Sequence, residues 1–329
     1  MRQPIKQYLY SGATTKVIAH TMVWFDGHKH TVDPKRNPGY FSNDATAVKE
    51  QCEYLADCRV DLHMHNWYGP GTFENEATIV YFEQSPLGHI INIDGGAFRS
   101  ESELNKCFEY VREIFFPHSG YERWCDKYIL TLFAKSGNDP QWFRNLEAAH
   151  QDCVFVYNST QWGYSQMEWI DSSLEVGVDW FCRTFSQRTN GLFIPAAFPG
   201  FNDDRGNGES CWHPGQPARI WPAGAPGPGG NWTTLESCFE VINRFYDTEH
   251  QLEYLQLITC NDWDEGTQME RKFLIPETPE SSSDKHVTLW ANGSQLGDTV
   301  ALPVDADLLT IVEQDESGAV LSATNLPLK

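Results

Sequence analysis

Eight short runs of near-continuous apolar residues are spaced along the first 260 positions, and each gives way to polar residues or glycine. They are Lys16–Phe25, Val60–Trp67, His89–Gly95, Tyr128–Lys135, Cys153–Tyr157, Trp180–Phe185, Leu192–Phe198 and Leu255–Cys260. Strands with apolar residues at consecutive positions are buried on both faces, the requirement of a parallel sheet covered by helices. Helical stretches with start signals lie between several of the runs. Ser42 or Asn43 can cap a helix running to Ala56, and Ser100 with Glu103 forms a capping box. Asp139-Pro140 supplies an N-cap and a first-turn proline, and Thr233 with Glu236 forms another box. The helices between runs two and three and between runs six and seven look short or missing, and the return after run eight is weak. The pattern predicts an α/β fold, a (β/α)₈ barrel of somewhat irregular build.

Run seven leads into a long loop, positions 199–230, rich in Gly, Pro, Asp and Trp. A loop of that length in a compact domain is usually functional, and in a barrel it would sit over the C-terminal mouth. The pattern changes near position 275. Residues 276–286 read as a linker, and 287–329 alternate apolar and polar residues around a turn signal at Glu316-Ser317-Gly318, predicting a small β-rich appendage. The expected organisation is a catalytic barrel over 1–275, the linker, and the appendage, which is too small to have much core of its own.

The net charge of −21 argues against nucleic acid, whose phosphates require clustered Lys and Arg, and against an anionic membrane surface. A neutral oligo- or polysaccharide is compatible with it. No apolar run is long enough to span a bilayer, so no membrane association is expected. The first 15 residues lack the apolar core of a signal peptide. The expected compartment is cytoplasmic, or secreted or periplasmic if a leader has been removed. Nine Cys, scattered and without a CxxC pair, argue against a disulfide framework and a zinc site. Cys153, Cys182 and Cys260 lie in apolar runs and are expected to be buried thiols. The 12 Trp, 13 Tyr and 19 Phe would mostly fill the core, but flat rings also stack on the apolar faces of sugars.

Candidate chemistry follows the ends of the runs, because strand C-termini converge on the active face of a barrel. Asp26, Trp67, Tyr68, Asp94, Lys135, Trp162, Arg183, Asp204, Arg205 and Asn261 to Glu265 all lie there. Asp262 and Glu265 are the sharpest pair. Two carboxyl groups close together are what glycosidic bond cleavage needs, one to protonate the leaving oxygen and one to act as base or nucleophile. Trp263 between them could line a sugar site. No cofactor or metal enters this reading.

The segment LITCNDWDEGTQME, residues 257–270, resembles the strand-eight signature of glycoside hydrolase families 71 and 99. Asn261-Asp262-Trp263-Asp264-Glu265-Gly266-Thr267 is a hybrid of the Asn-Glu-Trp-x-Glu-Gly-Thr pattern of family 99 and the Asn-Asp-Tyr-x-Glu pattern of family 71. The first run, VIAHTMVWF, resembles the opening strand of family 71, and Trp67-Tyr68-Gly69-Pro70 the tryptophan-rich loops of family 99. The resemblance implies a barrel hydrolysing α-linked glycans of glucan or mannan type. It implies Glu265 as general acid and Asp262 as general base, acting on water or, by the family 99 route, on the sugar 2-hydroxyl. Two other readings remain open. His63-x-His65 has the spacing of a metal motif at a barrel strand end, which with Asp262 would make a metal-dependent amidohydrolase-like enzyme. Otherwise His63 and His65 hydrogen-bond within the barrel, or one touches a sugar, and His20 in the first run admits the same readings. A non-catalytic carbohydrate-binding barrel is the other alternative.

Overall fold

The computed structural model describes residues 4–26, 40–135, 137–159, 162–164, 182, 186, 191–197, 200–204, 207–218, 220–221, 235–265, 267, 269, 286–291, 294–295, 308–314 and 320–327. The chain divides into two compact units, Met1–Pro276 and Glu277–Lys329.

In the first unit, β1 (Lys16–Met22), β2 (Leu62–Trp67), β3 (Gly88–Asp94), β4 (Lys127–Phe133) and β5 (Cys153–Ser159) are parallel neighbours in chain order. The chain then turns back into β6 (Trp162–Tyr164), antiparallel to β5 and to β7 (Phe193–Ile194). After Pro195, β8 (Ala196–Ala197) runs parallel to β9 (Tyr254–Leu257), which lies parallel to β1. β7 and β8 are halves of one stave broken at a proline, which has no N–H for the ladder. The sheet closes on itself, and the fold is a (β/α)₈ barrel with one short antiparallel stave.

The sixth run lies almost wholly outside the described residues. Of Trp180–Phe185 only Cys182 is among the described residues, and it is helical. An apolar run of six residues suits a strand or a buried helical segment equally, so periodicity could not separate them.

The helices are α1 (Ala45–Asp57), α2 (Phe73–Gln84), α3 (Glu101–Ile114), α4 (Pro140–Ala149) and α5 (Leu235–Ile242). Asp44 caps α1, accepting from the N–H groups of Thr46 and Ala47. Ser42, a candidate for that cap, instead accepts from the Phe25 N–H at 3.1 Å. Ser100 caps α3, while Glu103 reaches back to the Arg99 N–H at 2.7 Å. Asp139 caps α4, with Pro140 in the first turn. The capping box at Thr233 lies outside the described residues. α2 is a full helix of 12 residues where the pattern suggested little or none. Thr72 caps it and Glu74 and Glu76 favour its first turn, but its buried face mixes Asn75 and Thr78 with Ala77, Tyr81 and Phe82, which blurs the apolar stripe.

Strand alternation sorts the barrel into two faces. Ile18, Leu62, Met64, Ile90, Ile129, Val154, Val156, Leu192, Ile194 and Tyr254 form a buried cluster to which no helix contributes, the inner face. The intervening residues, among them Val17, Ala19, Trp67, Ile91, Ile93, Leu130, Leu132, Phe155 and Tyr157, join helix residues such as Leu55, Phe108, Val111, Phe143 and Phe239 in the outer layer. Towards the C-terminal mouth the inner face turns polar: Ile18 gives way to His20, Met64 to Asn66, Ile90 to Asn92, Ile129 to Thr131, Val156 to Asn158 and Tyr254 to Gln256. An amide ladder crosses the staves there. Asn158 donates to Asn92 Oδ1 at 3.0 Å and Asn92 to Asn66 Oδ1 at 2.7 Å. All nine cysteines are free, and all except Cys125 are buried. Among the described residues no helix is long and apolar enough to cross a membrane.

In the second unit, β10 (His286–Ala291), β11 (Ser294–Gln295), β12 (Leu308–Gln314) and β13 (Val320–Pro327) form an antiparallel sheet in the order β11-β10-β12-β13. The Glu316-Ser317-Gly318 turn lies outside the described residues.

Candidate active site

A cavity of about 390 Å³ opens at the C-terminal mouth of the barrel, lined by residues from five strand ends and from the long loop. β1 and its extension supply His20, Met22 and Trp24; β2 supplies Asn66, followed by Tyr68; β3 supplies Asp94; and β4 supplies Phe133, followed by Lys135. Trp212 and His213 come from the long loop, and Ile258, Thr259, Asp262 and Glu265 from the segment after β9.

That last segment is held by its own hydrogen bonds. Asp262 donates its N–H to Thr259 Oγ1 at 2.7 Å, and Thr259 Oγ1 meets Thr267 Oγ1 at 2.9 Å. The Thr267 N–H returns to the Asp262 carbonyl at 3.1 Å. The Asp262 carboxylate accepts the Glu265 N–H at 3.0 Å, a short turn that keeps both acids on the cavity side. Asp262 is buried and Glu265 half-buried. Burial pushes the Asp262 carboxyl well above the ordinary range, Glu265 and Asp264 push it further, and the N–H groups of Glu265 and Asp264 oppose the shift. Two neighbouring carboxyls in unlike environments are the arrangement from which acid and base roles arise.

Across the cavity, Asp94 forms an ion pair with Lys135 at 2.6 Å and accepts the Gly96 N–H at 2.7 Å. Lys135 Nζ lies 5.4 Å from the centre of the Tyr68 ring, and Asn66 donates to the Tyr68 hydroxyl at 3.1 Å. Burial first, then Asp94, raises the Tyr68 phenol well above its usual value, so it stays a neutral hydroxyl. The rings of Tyr68 and Trp212 flank Trp24 at 6.2 and 6.1 Å, making an aromatic wall. Ser210 Oγ, itself bonded to Asp203 at 2.6 Å, accepts from the N–H groups of Trp212 and His213 and fixes the turn that presents them.

Of the residues singled out in the sequence, Tyr68, Asp94, Lys135, Asp262 and Glu265 line this cavity. Others do not. His63 and His65 occupy outer positions of β2: His63 Nδ1 meets Thr21 Oγ1 at 2.9 Å and His65 Nε2 meets His89 Nδ1 at 3.0 Å, among Tyr81 and Phe82 of α2. They face away from Asp262, so the His63–His65–Asp262 ligand set is not assembled. Trp67 is on the same outer face, donating to Asn75 Oδ1 at 3.0 Å and stacking on Tyr110. Asn261 is a tie between strands: its side chain accepts the Met22 N–H at 2.7 Å and donates to the Met22 carbonyl at 2.8 Å. Trp263 packs against Met22, Trp24 and Phe25. Asp26 is half-buried and not part of the lining, and Asp204 accepts the Gly208 N–H within its loop at 2.8 Å. Arg183, Arg205 and the side chain of Trp162 lie outside the described residues. Among the described residues no group of three or more His, Cys, Asp or Glu is placed to hold a metal ion.

The sequence reading left His20 open and did not count Met22, Trp24, Asn66, Phe133, Trp212 and His213 at the site. The available signal was parity. Once Asp94 is taken to face inward, the register across β1, β2 and β3 puts Asn66 and His20 on the same face.

No protein-family model matches the chain, and no curated protein matches it. Solved structures do. A GH99 endo-α-mannosidase from Bacteroides thetaiotaomicron in complex with BIS-TRIS-propane superposes with a TM-score of 0.58 at 17% identity, over 77% of this chain and 85% of that one. A second structure of the GH99 endo-α-mannosidase from this organism gives 0.54 at 14% identity, over 77% and 86%. The shared feature is the barrel fold.

Proposed function

We propose that this chain is a glycoside hydrolase acting on α-linked glycans, with Glu265 as general acid and Asp262 as general base and without a metal. The observation that carries the reading is the meeting of these two carboxyl groups in one cavity at the C-terminal mouth, each in a different environment. The fold shared with an endo-α-mannosidase and the Asn261–Thr267 pattern support it.

Glu265 donates its proton to the glycosidic oxygen as the bond to the anomeric carbon breaks. Asp262 takes a proton from the attacking water, whose oxygen bonds to that carbon. To act as base Asp262 must be ionised, which its burial opposes. The Asp94–Lys135 pair and the Tyr68 hydroxyl offer sugar hydroxyls both donors and acceptors, and the Tyr68–Trp24–Trp212 wall offers ring faces to stack on. The substrate class is an α-glucan or α-mannan. Asp262 is one methylene shorter than the glutamate of the family 99 pattern, which leans the reading to glucan and to water activation.

The test is incubation with α-1,3-glucan and with α-mannan oligosaccharides, following the anomeric signals of the first product by proton NMR. Cleavage of one set is expected. Binding of a glycan without cleavage of any would sink the enzymatic reading in favour of a binding barrel.

A further inference from the structure

His20 is the deepest of the three residues that β1 and its extension turn towards the cavity, two positions before Met22 and four before Trp24. It is only 6% exposed, and neither ring nitrogen makes a hydrogen bond of normal geometry among the described residues. The outer histidines each have at least one bonded ring nitrogen: His63 is bonded to Thr21, and His65 and His89 are bonded to each other, while His65 Nδ1 and His89 Nε2 have no partner among the described residues. Asn66 and Asp94, the polar groups that act on His20, are also engaged with other side chains. Asn66 accepts from Asn92 and donates to Tyr68 and Asp94, and Asp94 is paired with Lys135. Buried polar atoms in folded proteins are nearly always satisfied, so an imidazole left over at the base of a binding cavity points to a ligand.

We propose that His20 is a specificity-determining residue that grips one sugar hydroxyl at the base of the cavity, donating from one ring nitrogen and accepting at the other. The proposal rests on the glycoside hydrolase reading of this cavity. Burial lowers the His20 pKa to about 4, against the pull of Asp94 and Asn66, so at neutral pH the ring offers one N–H and one lone pair. A hydroxyl is the group that matches both at once. An ammonium group would match only the lone pair, and a carboxylate only the N–H.

The experiment compares wild type, His20→Phe and His20→Gln on whichever of the α-1,3-gluco- and α-manno-oligosaccharides the wild type cleaves. In parallel, the histidine ring nitrogens are followed by NMR in a Glu265→Gln background as that oligosaccharide is added, with the His20 signals assigned from their loss in His20→Gln. His20→Phe keeps a ring of similar size but has no polar atom, and is expected to lower kcat/KM about 10- to 100-fold, the loss of a buried hydrogen-bonding pair. His20→Gln, with one donor and one acceptor, is expected to recover at least part of it. The His20 nitrogens should shift on saturation while those of His63, His65 and His89 stay in place. If the wild type cleaves the sugar but His20→Phe stays within about threefold, or the His20 signals do not move, the proposal falls and the hydrolase reading stands. If the wild type neither binds nor cleaves either sugar, both fall. Should His20→Phe not fold, the titration alone decides, because it is made on protein that retains His20.

Discussion

The two faces of β2 carry similar residues put to opposite uses. Leu62, Met64 and Asn66 face inward, while His63, His65 and Trp67 face the helices, and all six are buried. Outside, each polar side chain is bonded within the protein through at least one atom: His63 to Thr21, His65 to His89, Trp67 to Asn75. Inside, the apolar base of the barrel gives way to side chains turned to the cavity. Burial by itself therefore does not separate structural from functional residues in this barrel. What separates them is whether the side chain turns to the cavity or to the helices.

Three substitutions or conditions sharpen this contrast. The largest effect is expected on the inner face. Glu265→Gln removes the donated proton and should lower kcat by about a thousandfold or more, with substrate binding and the thermal midpoint nearly unchanged. Retention of most of the activity would remove Glu265 from the chemistry. On the outer face, Trp67→Ala should cost about 3 kcal/mol or more of stability by urea unfolding, since a fully buried indole stacked on Tyr110 is lost, while activity per folded molecule stays within about threefold. A collapse of kcat with stability intact would place Trp67 in the site after all.

The third is the response to acid. Burial holds His63 at about 3 and His89 at about 2, against an unfolded value near 6.5. Both bind their protons in the unfolded state first, so their stability is present above pH 6.5 and is lost as pH falls through the window down to those values. Each should contribute a slope of ~1.4 kcal/mol per pH unit below about 6, measured by urea unfolding at several pH values and compared with His89→Phe. The raised carboxyl of Asp262 acts with the opposite sign: its contribution is present below the unfolded carboxylate pKa and is lost as pH rises through its folded value. A stability curve that His89→Phe leaves unchanged between pH 6 and 4 would show that His89 does not stay neutral in the folded protein.

The sequence carried the parallel staves, the starts of α3 and α4 and the Asp262–Glu265 pair. Those signals are local: apolar runs bounded by polar residues, a capping residue three before its partner, two acids within one turn. It also established that His63 and His65 share a side of their strand, because side chains alternate with a period of two. The tertiary structure alone decided which side. Both faces of a barrel strand are buried, one by the other staves and one by the helices, so hydrophobicity marks neither, and an HxH pair reads the same whether it points to a cavity or to a helix. The same degeneracy hid Asn66 and left His20 undecided, and their place at the site follows only from register with β3. Trp212 and His213 were hidden by distance along the chain, since only the folding of their loop over the mouth brings them to Glu265, through the bond of the Asn202 N–H to the Glu265 carbonyl at 2.6 Å.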